Sequence, residues 1–159
     1  MKALAHKVAE RLKARGATLA TAESCTGGWV AQALTAVPGC SNWFERGFVT
    51  YSNAAKEEML GVRADTLARH GAVSEEAARE MALGALERSR AGLSLAITGI
   101  AGPSGGSAAK PVGTVCFAWA ARGTPAEVET RHFAGDREAV RRQSVEHALE
   151  GVLRLLDGG

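Results

Sequence analysis

The 159-residue sequence predicts an α/β fold, a layered domain around a mixed β-sheet. Three observations predict it. Amphipathic helical segments alternate with short apolar runs through the first hundred residues. The run GLSLAITGI is apolar on both faces, as a strand covered on both sides must be. Two strand-like segments then follow one another across a short turn, which makes the last part of the sheet antiparallel.

Taken in order, Leu4, Val8 and Leu12 recur at i, i+4 and i+8, so residues 2–15 form an amphipathic helix. Gly16 ends it. ATLATAE is a short buried strand. SCTGGWVAQALTAV opens a second helix, capped by Ser24 or Thr26 and stopped at Pro38-Gly39. RGFVTY, residues 46–51, has high strand propensity. SNAAKEEML reads as a short helix capped by Ser52 or Asn53. Ser74 caps a longer helix running to about Arg90, with Glu75 and Glu76 placed to favour its dipole. Its inward residues are Ala77, Ala78, Met81, Ala82, Ala85 and Leu86, and so many alanines predict close helix-to-sheet contact. GLSLAITGI leads into the loop AGPSGGSAAKP. VGTVCFAWAA and EVETRHFA then form a hairpin across Arg122–Pro125. Asp136 caps a final helix to about Leu156, with Val140, Ser144, Ala148, Val152 and Leu156 along one face.

The length suits one domain, expected to span residues 1–159. A hydrophobic content of 46% is that of a packed core. Net charge is +2 with the signs interspersed, and no basic run or aromatic-basic interleaving is present, which argues against nucleic acid binding. Cys25, Cys40 and Cys116 are odd in number and lack CxxC spacing, so neither a disulfide framework nor a zinc site is expected. Free thiols and a charged N-terminus without an apolar core point to a cytoplasmic protein with no membrane span.

Two glycine-rich loops are candidate ligand sites. Thr21-Ala22-Glu23-Ser24-Cys25-Thr26-Gly27-Gly28 lies where a strand turns into a helix, whose free N–H groups attract phosphate or carboxylate. The hydroxyls of Ser24 and Thr26 add donors, and Gly27 and Gly28 permit close approach. The second loop, with Thr98, Gly99 and Gly102, follows the strongest strand. Its spacing fits neither a dinucleotide fingerprint nor a P-loop, but the carboxyl end of a strand is where α/β sheets bind ligands. Capping and tight packing explain the same residues equally well.

Between the loops lie Ser41, Tyr51, the single tyrosine, and Lys56. A serine needs a base to become a nucleophile. His6, His70, His132 and His147 sit in no triad motif. A lysine in an apolar pocket loses its proton more readily and can serve as that base. The spacing of Ser41 and Lys56 excludes S-x-x-K on one helical turn, so the two would have to meet through the fold. Each side chain also fits an ordinary structural role. A nucleotide- or partner-binding module without catalysis stays open as an alternative.

The segments TAESCTGGWVAQALT, FERGFVTYSNAAKEEMLGV, HGAVSEEAAREMA and ITGIAGPSGGSAAKPVGTV, in this order, resemble the CinA C-terminal domain family. The resemblance covers nearly the whole chain. It implies a three-layer α/β/α domain, commonly self-associated. It also implies hydrolysis of the carboxamide of nicotinamide mononucleotide to nicotinic acid mononucleotide and ammonia, without metal or cofactor. A related pyridine amide is the alternative substrate. The family's serine nucleophile matches Ser41, its lysine base Lys56 and its tyrosine Tyr51. The TAESCTGG and TGIAGP loops would line the substrate pocket, and Arg141 or Arg142 would reach the phosphate. Cys40 stands where relatives often carry a second serine, and Ser104 where they often carry Asp.

Overall fold

The computed structural model describes residues 1–158. In chain order the elements are α1 (Lys2–Arg15), β1 (Leu19–Glu23), α2 (Trp29–Thr35), β2 (Phe44–Val49), α3 (Asn53–Leu60), α4 (Ala64–His70), α5 (Glu75–Glu87), β3 (Leu93–Gly99), β4 (Thr114–Ala121), β5 (Glu127–His132) and α6 (Arg137–Gly158). A 3₁₀ turn, Cys40–Asn42, precedes β2. The sheet order is β2-β1-β3-β4-β5. β1 pairs in parallel with both β2 and β3. β3–β4 and β4–β5 are antiparallel. The α/β class and the mixed sheet are as the sequence predicts.

Alternation of side chains along the strands builds two cores, one on each side of the sheet. Leu19, Leu95, Ile97, Val115, Phe117 and Trp119 face α1, α2 and α6, where they meet Val8, Leu12, Leu34, Val145 and Leu149. Trp119 also donates its Nε1–H to the Ala148 carbonyl at 2.9 Å, which pins α6 against β4. The opposite face presents Ala20, Ala22, Ala96, Ala118 and Ala120. With mostly small side chains on that face, the backbone of α5 comes close, and α5 answers with Ala77, Ala78, Ala82 and Ala85. Where α5 crosses α3 the contact is closer still. A Cβ on Gly84 would lie 2.0 Å from the Leu60 carbonyl oxygen. The result is a three-layer α/β/α arrangement.

The helix caps expected at Ser52, Ser74 and Asp136 form. Their side chains accept from the amides of Ala55, Ala77 and Ala139. Three details differ from the sequence reading. Helix α4 occupies a stretch without an announced periodicity. The strand expected over 46–51 runs from Phe44 to Val49, because the Trp43 carbonyl already accepts the Leu19 amide at 2.8 Å and opens the ladder early. α2 begins at Trp29, not at Ser24 or Thr26.

Because β1, β2 and β3 are parallel, the segments leaving them emerge at one edge of the sheet. Residues 24–28, 50–56 and 100–106 therefore meet there. The two glycine-rich loops share that edge.

Candidate active site

Lys56 is the centre of this edge. It lies one turn into α3, on the face that also buries Leu60, and is 1% exposed. Its Nζ contacts three oxygens: Ser24 Oγ at 2.9 Å, the Thr50 carbonyl at 2.9 Å and the Tyr51 carbonyl at 3.1 Å. No carboxylate is among them. Burial without a counter-charge disfavours the ammonium, and the Lys56 pKa is lowered from its ordinary 10.5. Three oxygens match the three N–H donors of the ammonium; in the neutral amine the two carbonyls can take both N–H bonds, which leaves the lone pair for the hydroxyl of Ser24.

Ser24 is the first residue beyond β1 and is 6% exposed. Its amide donates to the Ile97 carbonyl of β3 at 3.0 Å, while the Thr50 amide donates to the Glu23 carbonyl at 2.8 Å. Sheet-like bonds on both sides thus fix the backbone on either side of the hydroxyl. Next to it, burial pushes the Cys25 thiol up to about 12, so it stays protonated near neutrality.

Glu23 is fully buried, and its carboxylate is consumed by the chain itself. Oε1 accepts from Thr26 Oγ1 at 2.6 Å and from the Val30 amide at 2.9 Å; Oε2 accepts from the Ala31 amide at 3.0 Å. Glu23 is therefore the cap of α2, the role the sequence reading assigned to Ser24 or Thr26. The helix end that looked open to phosphate is already occupied by a carboxylate. Gly27 and Gly28 have φ of 58° and 101°, which lets the chain turn from strand to helix in so few residues.

The other expected contacts are also placed. Thr21 is buried within β1. Thr98 donates to the Ala72 carbonyl at 2.9 Å and ties β3 to the loop before α5. At Gly99 a Cβ would meet Val115 Cγ2 at 2.8 Å, so the glycine serves strand packing. Gly102 lies in the second loop. Arg141 of α6 crosses to the first loop, donating to the carbonyls of Cys25 at 3.0 Å and Thr26 at 3.3 Å. Arg142 turns to Glu138 instead, at 3.2 Å.

Ser41 does not join this group. It is exposed, in the 3₁₀ turn that enters β2 from the opposite edge of the sheet. The six residues of β2, at about 3.3 Å each, carry the chain roughly 20 Å before it reaches Thr50. Within one chain Lys56 meets Ser24, and the expected contact with Ser41 is not formed. The Tyr51 side chain is 65% exposed, and the residue meets Lys56 through its carbonyl. Sequence reasoning had counted Ser24 as a binding residue. The signal for its closer role was its place directly after a parallel strand, at the edge where β2 also delivers Lys56.

A lysine–serine contact thus lies buried at the carboxyl ends of the three parallel strands, and the described residues hold no cluster of metal-ligating side chains. The chain belongs to the CinA C-terminal domain family, whose model matches residues 1–156. It is 58% identical over 147 residues, 92% of this chain and 89% of the relative, to the nicotinamide-nucleotide amidohydrolase PncC of Escherichia coli K12. It is 53% identical to the protein of that name from Pseudomonas putida, covering 96% of this chain and 94% of the relative. Among solved structures, a CinA superfamily protein from Klebsiella pneumoniae superposes with a TM-score of 0.95 at 45% identity, covering 99% of this chain and 98% of the other. A competence/damage inducible protein from Agrobacterium tumefaciens gives 0.93 at 47% identity, covering 98% and 94%.

Proposed function

We propose that this protein hydrolyses the carboxamide of nicotinamide mononucleotide to nicotinic acid mononucleotide and ammonia, with Ser24 as nucleophile and Lys56 as its base. The observation that carries the mechanism is the 2.9 Å contact between Lys56 Nζ and Ser24 Oγ, with two backbone carbonyls holding the amine. The substrate follows from relatives named for that amidohydrolase activity over nearly the whole chain.

Neutral Lys56 takes the Ser24 proton as Oγ attacks the amide carbon. Backbone N–H groups of the Cys25–Gly28 turn lie next to the nucleophile, where the oxyanion develops. The Lys56 ammonium then gives its proton to the departing ammonia, leaving an ester on Ser24. Water attacks the ester, Lys56 accepts the water's proton and passes it to Ser24 Oγ as the acid product leaves. Arg141 and the loops at 24–28 and 98–106 frame the substrate. Tyr51 is exposed beside the site and holds Lys56 through its carbonyl.

The three cysteines are free, which supports a reducing compartment, and no helix among the described residues is long and apolar enough to cross a membrane. Self-association belongs to the same proposal and is checked by light scattering.

Ammonia release from the mononucleotide tests the activity. Ser24→Ala and Ser41→Ala, assayed side by side, test the nucleophile. Ser24→Ala is expected to lose turnover by about a thousandfold or more, the scale on which an activated nucleophile contributes. Turnover lost in Ser41→Ala and kept in Ser24→Ala would return the role to Ser41.

A further inference from the structure

Thr50 follows β2 and stands beside Ser24. Its amide donates to the Glu23 carbonyl at 2.8 Å, which carries the β1–β2 ladder one pair beyond Glu23 and Val49. Side chains alternate along both strands. Ala20 and Ala22 of β1 and Phe48 of β2 face the α5 side, so Ser24 and Thr50 face it too. α3 packs on that side through Leu60, and Lys56 reaches the pair from there. The Thr50 carbonyl holds Lys56 Nζ at 2.9 Å, but its side chain is idle: Oγ1 is fully buried and has no hydrogen-bond partner. Among the described residues Thr21 Oγ1 is the other such atom, and it lies on the opposite face with Leu19. A buried hydroxyl without a partner costs free energy that a methyl in its place would not. Thr50 thus carries an unused donor and acceptor in the residue that already holds the lysine.

The needs of Lys56 change during the reaction. As the free amine it has two N–H bonds, matched by the carbonyls of Thr50 and Tyr51, and it accepts from Ser24 Oγ. Once it takes the serine proton it has three N–H bonds. The Ser24 oxygen is by then bonded to the substrate carbon and is a poorer acceptor. Cys25 is the titratable neighbour that bears on Lys56, and its thiol, raised to about 12, stays neutral and supplies no counter-charge. We propose that Thr50 is a positioning residue for Lys56: its hydroxyl accepts the third N–H of the ammonium while Ser24 Oγ is bonded to carbon, and so holds the proton on Nζ until it passes to the departing nitrogen. This rests on the amidase reading above, with Ser24 as nucleophile. The same contact forms again in deacylation, when Lys56 takes a proton from water. Rotation about the Cα–Cβ bond of Thr50, or a swing of the flexible lysine stem, closes it.

The test compares Thr50→Val with the unaltered protein in ammonia release from the mononucleotide across pH, with thermal unfolding in parallel. In Thr50→Val kcat is expected to fall about ten- to hundredfold, the scale of one hydrogen bond to a charged group. KM should hold. The midpoint of the kcat/KM profile, which reports the free enzyme, should stay in place, because Ser24 Oγ still meets Lys56 there. The unfolding temperature should be unchanged or higher. Thr50→Ser and Thr50→Ala both lack the methyl and differ by the hydroxyl alone, so they make the same comparison if Thr50→Val does not fold. Thr50→Ser should keep most of kcat and Thr50→Ala should lose it. An unchanged kcat in Thr50→Val, or equal losses in Thr50→Ser and Thr50→Ala, overturns the inference and leaves Thr50 as a packing residue. If the unaltered protein releases no ammonia, or Ser24→Ala keeps its turnover, the amidase reading itself fails and the inference falls with it.

Discussion

Glu23→Ala separates a residue that builds the site from one that touches substrate. The carboxylate accepts three hydrogen bonds in a fully buried setting: from Thr26 Oγ1, the Val30 amide and the Ala31 amide. Bonds to a charged acceptor contribute roughly 1.5–3 kcal/mol each. Removing all three would cost roughly 5–9 kcal/mol if nothing adjusted. Water entering the vacated space and fraying of the first turn of α2 recover part of this, so a net loss of about 3–5 kcal/mol is expected. That is a large share of the roughly 5–15 kcal/mol by which domains are stable. Urea unfolding followed by circular dichroism measures it. With a slope of about 2 kcal/mol per molar, the midpoint should fall by about 1.5–2.5 M. Glu23→Gln keeps one oxygen but turns an N–H₂ toward an amide donor, and should lose roughly half as much. An unchanged midpoint together with a raised KM would refute the capping role and make Glu23 a substrate contact.

The pH dependence follows from Lys56, whose pKa lies below 10.5 in the folded chain because of burial. Activity should rise with pH through that lowered pKa, since only the neutral amine accepts the serine proton; a flat profile with chemistry rate-limiting would count against the base assignment. The unfolded chain binds the proton more tightly than the folded one, so Lys56 is a burden on stability that is full below its folded pKa and lifts as pH rises toward 10.5. Unfolding free energies of the unaltered protein and Lys56→Met, measured across that window, should therefore converge or diverge with the sign that favours lysine at high pH. Lys56→Arg stays protonated and should lose turnover even where the protein folds. Gly84→Ala places a methyl 2.0 Å from the Leu60 carbonyl oxygen. It should destabilise by about 1–3 kcal/mol and, by shifting α3, slow turnover too; thermal unfolding with a matched activity assay checks both.

Much of the fold was legible because local rules and the tertiary arrangement agree. The inward residues of α5 and α6 follow a helical period, and the caps at Ser52, Ser74 and Asp136 follow from the side-chain oxygens that such positions need. Lys56 was legible as a candidate base because a serine needs one and a lysine in an apolar pocket loses its proton more readily. Helix α4 was not legible, since seven residues give too little periodicity to read. The cap of α2 was hidden because Glu23 reaches forward seven and eight residues, beyond any local capping rule.

The sequence alone therefore determined the layers, the loops that meet at the site and the lysine at its centre, all properties of short windows of chain. Which serine faces that lysine was decided only by the tertiary structure. Ser41 and Lys56 are 15 positions apart and Ser24 and Lys56 are 32, but β2 carries the nearer serine to the far edge of the sheet. The parallel pairing of β1 with β2 and β3 brings the more distant serine within 2.9 Å of the amine. Strand direction is a long-range property, and no spacing along the chain reports it.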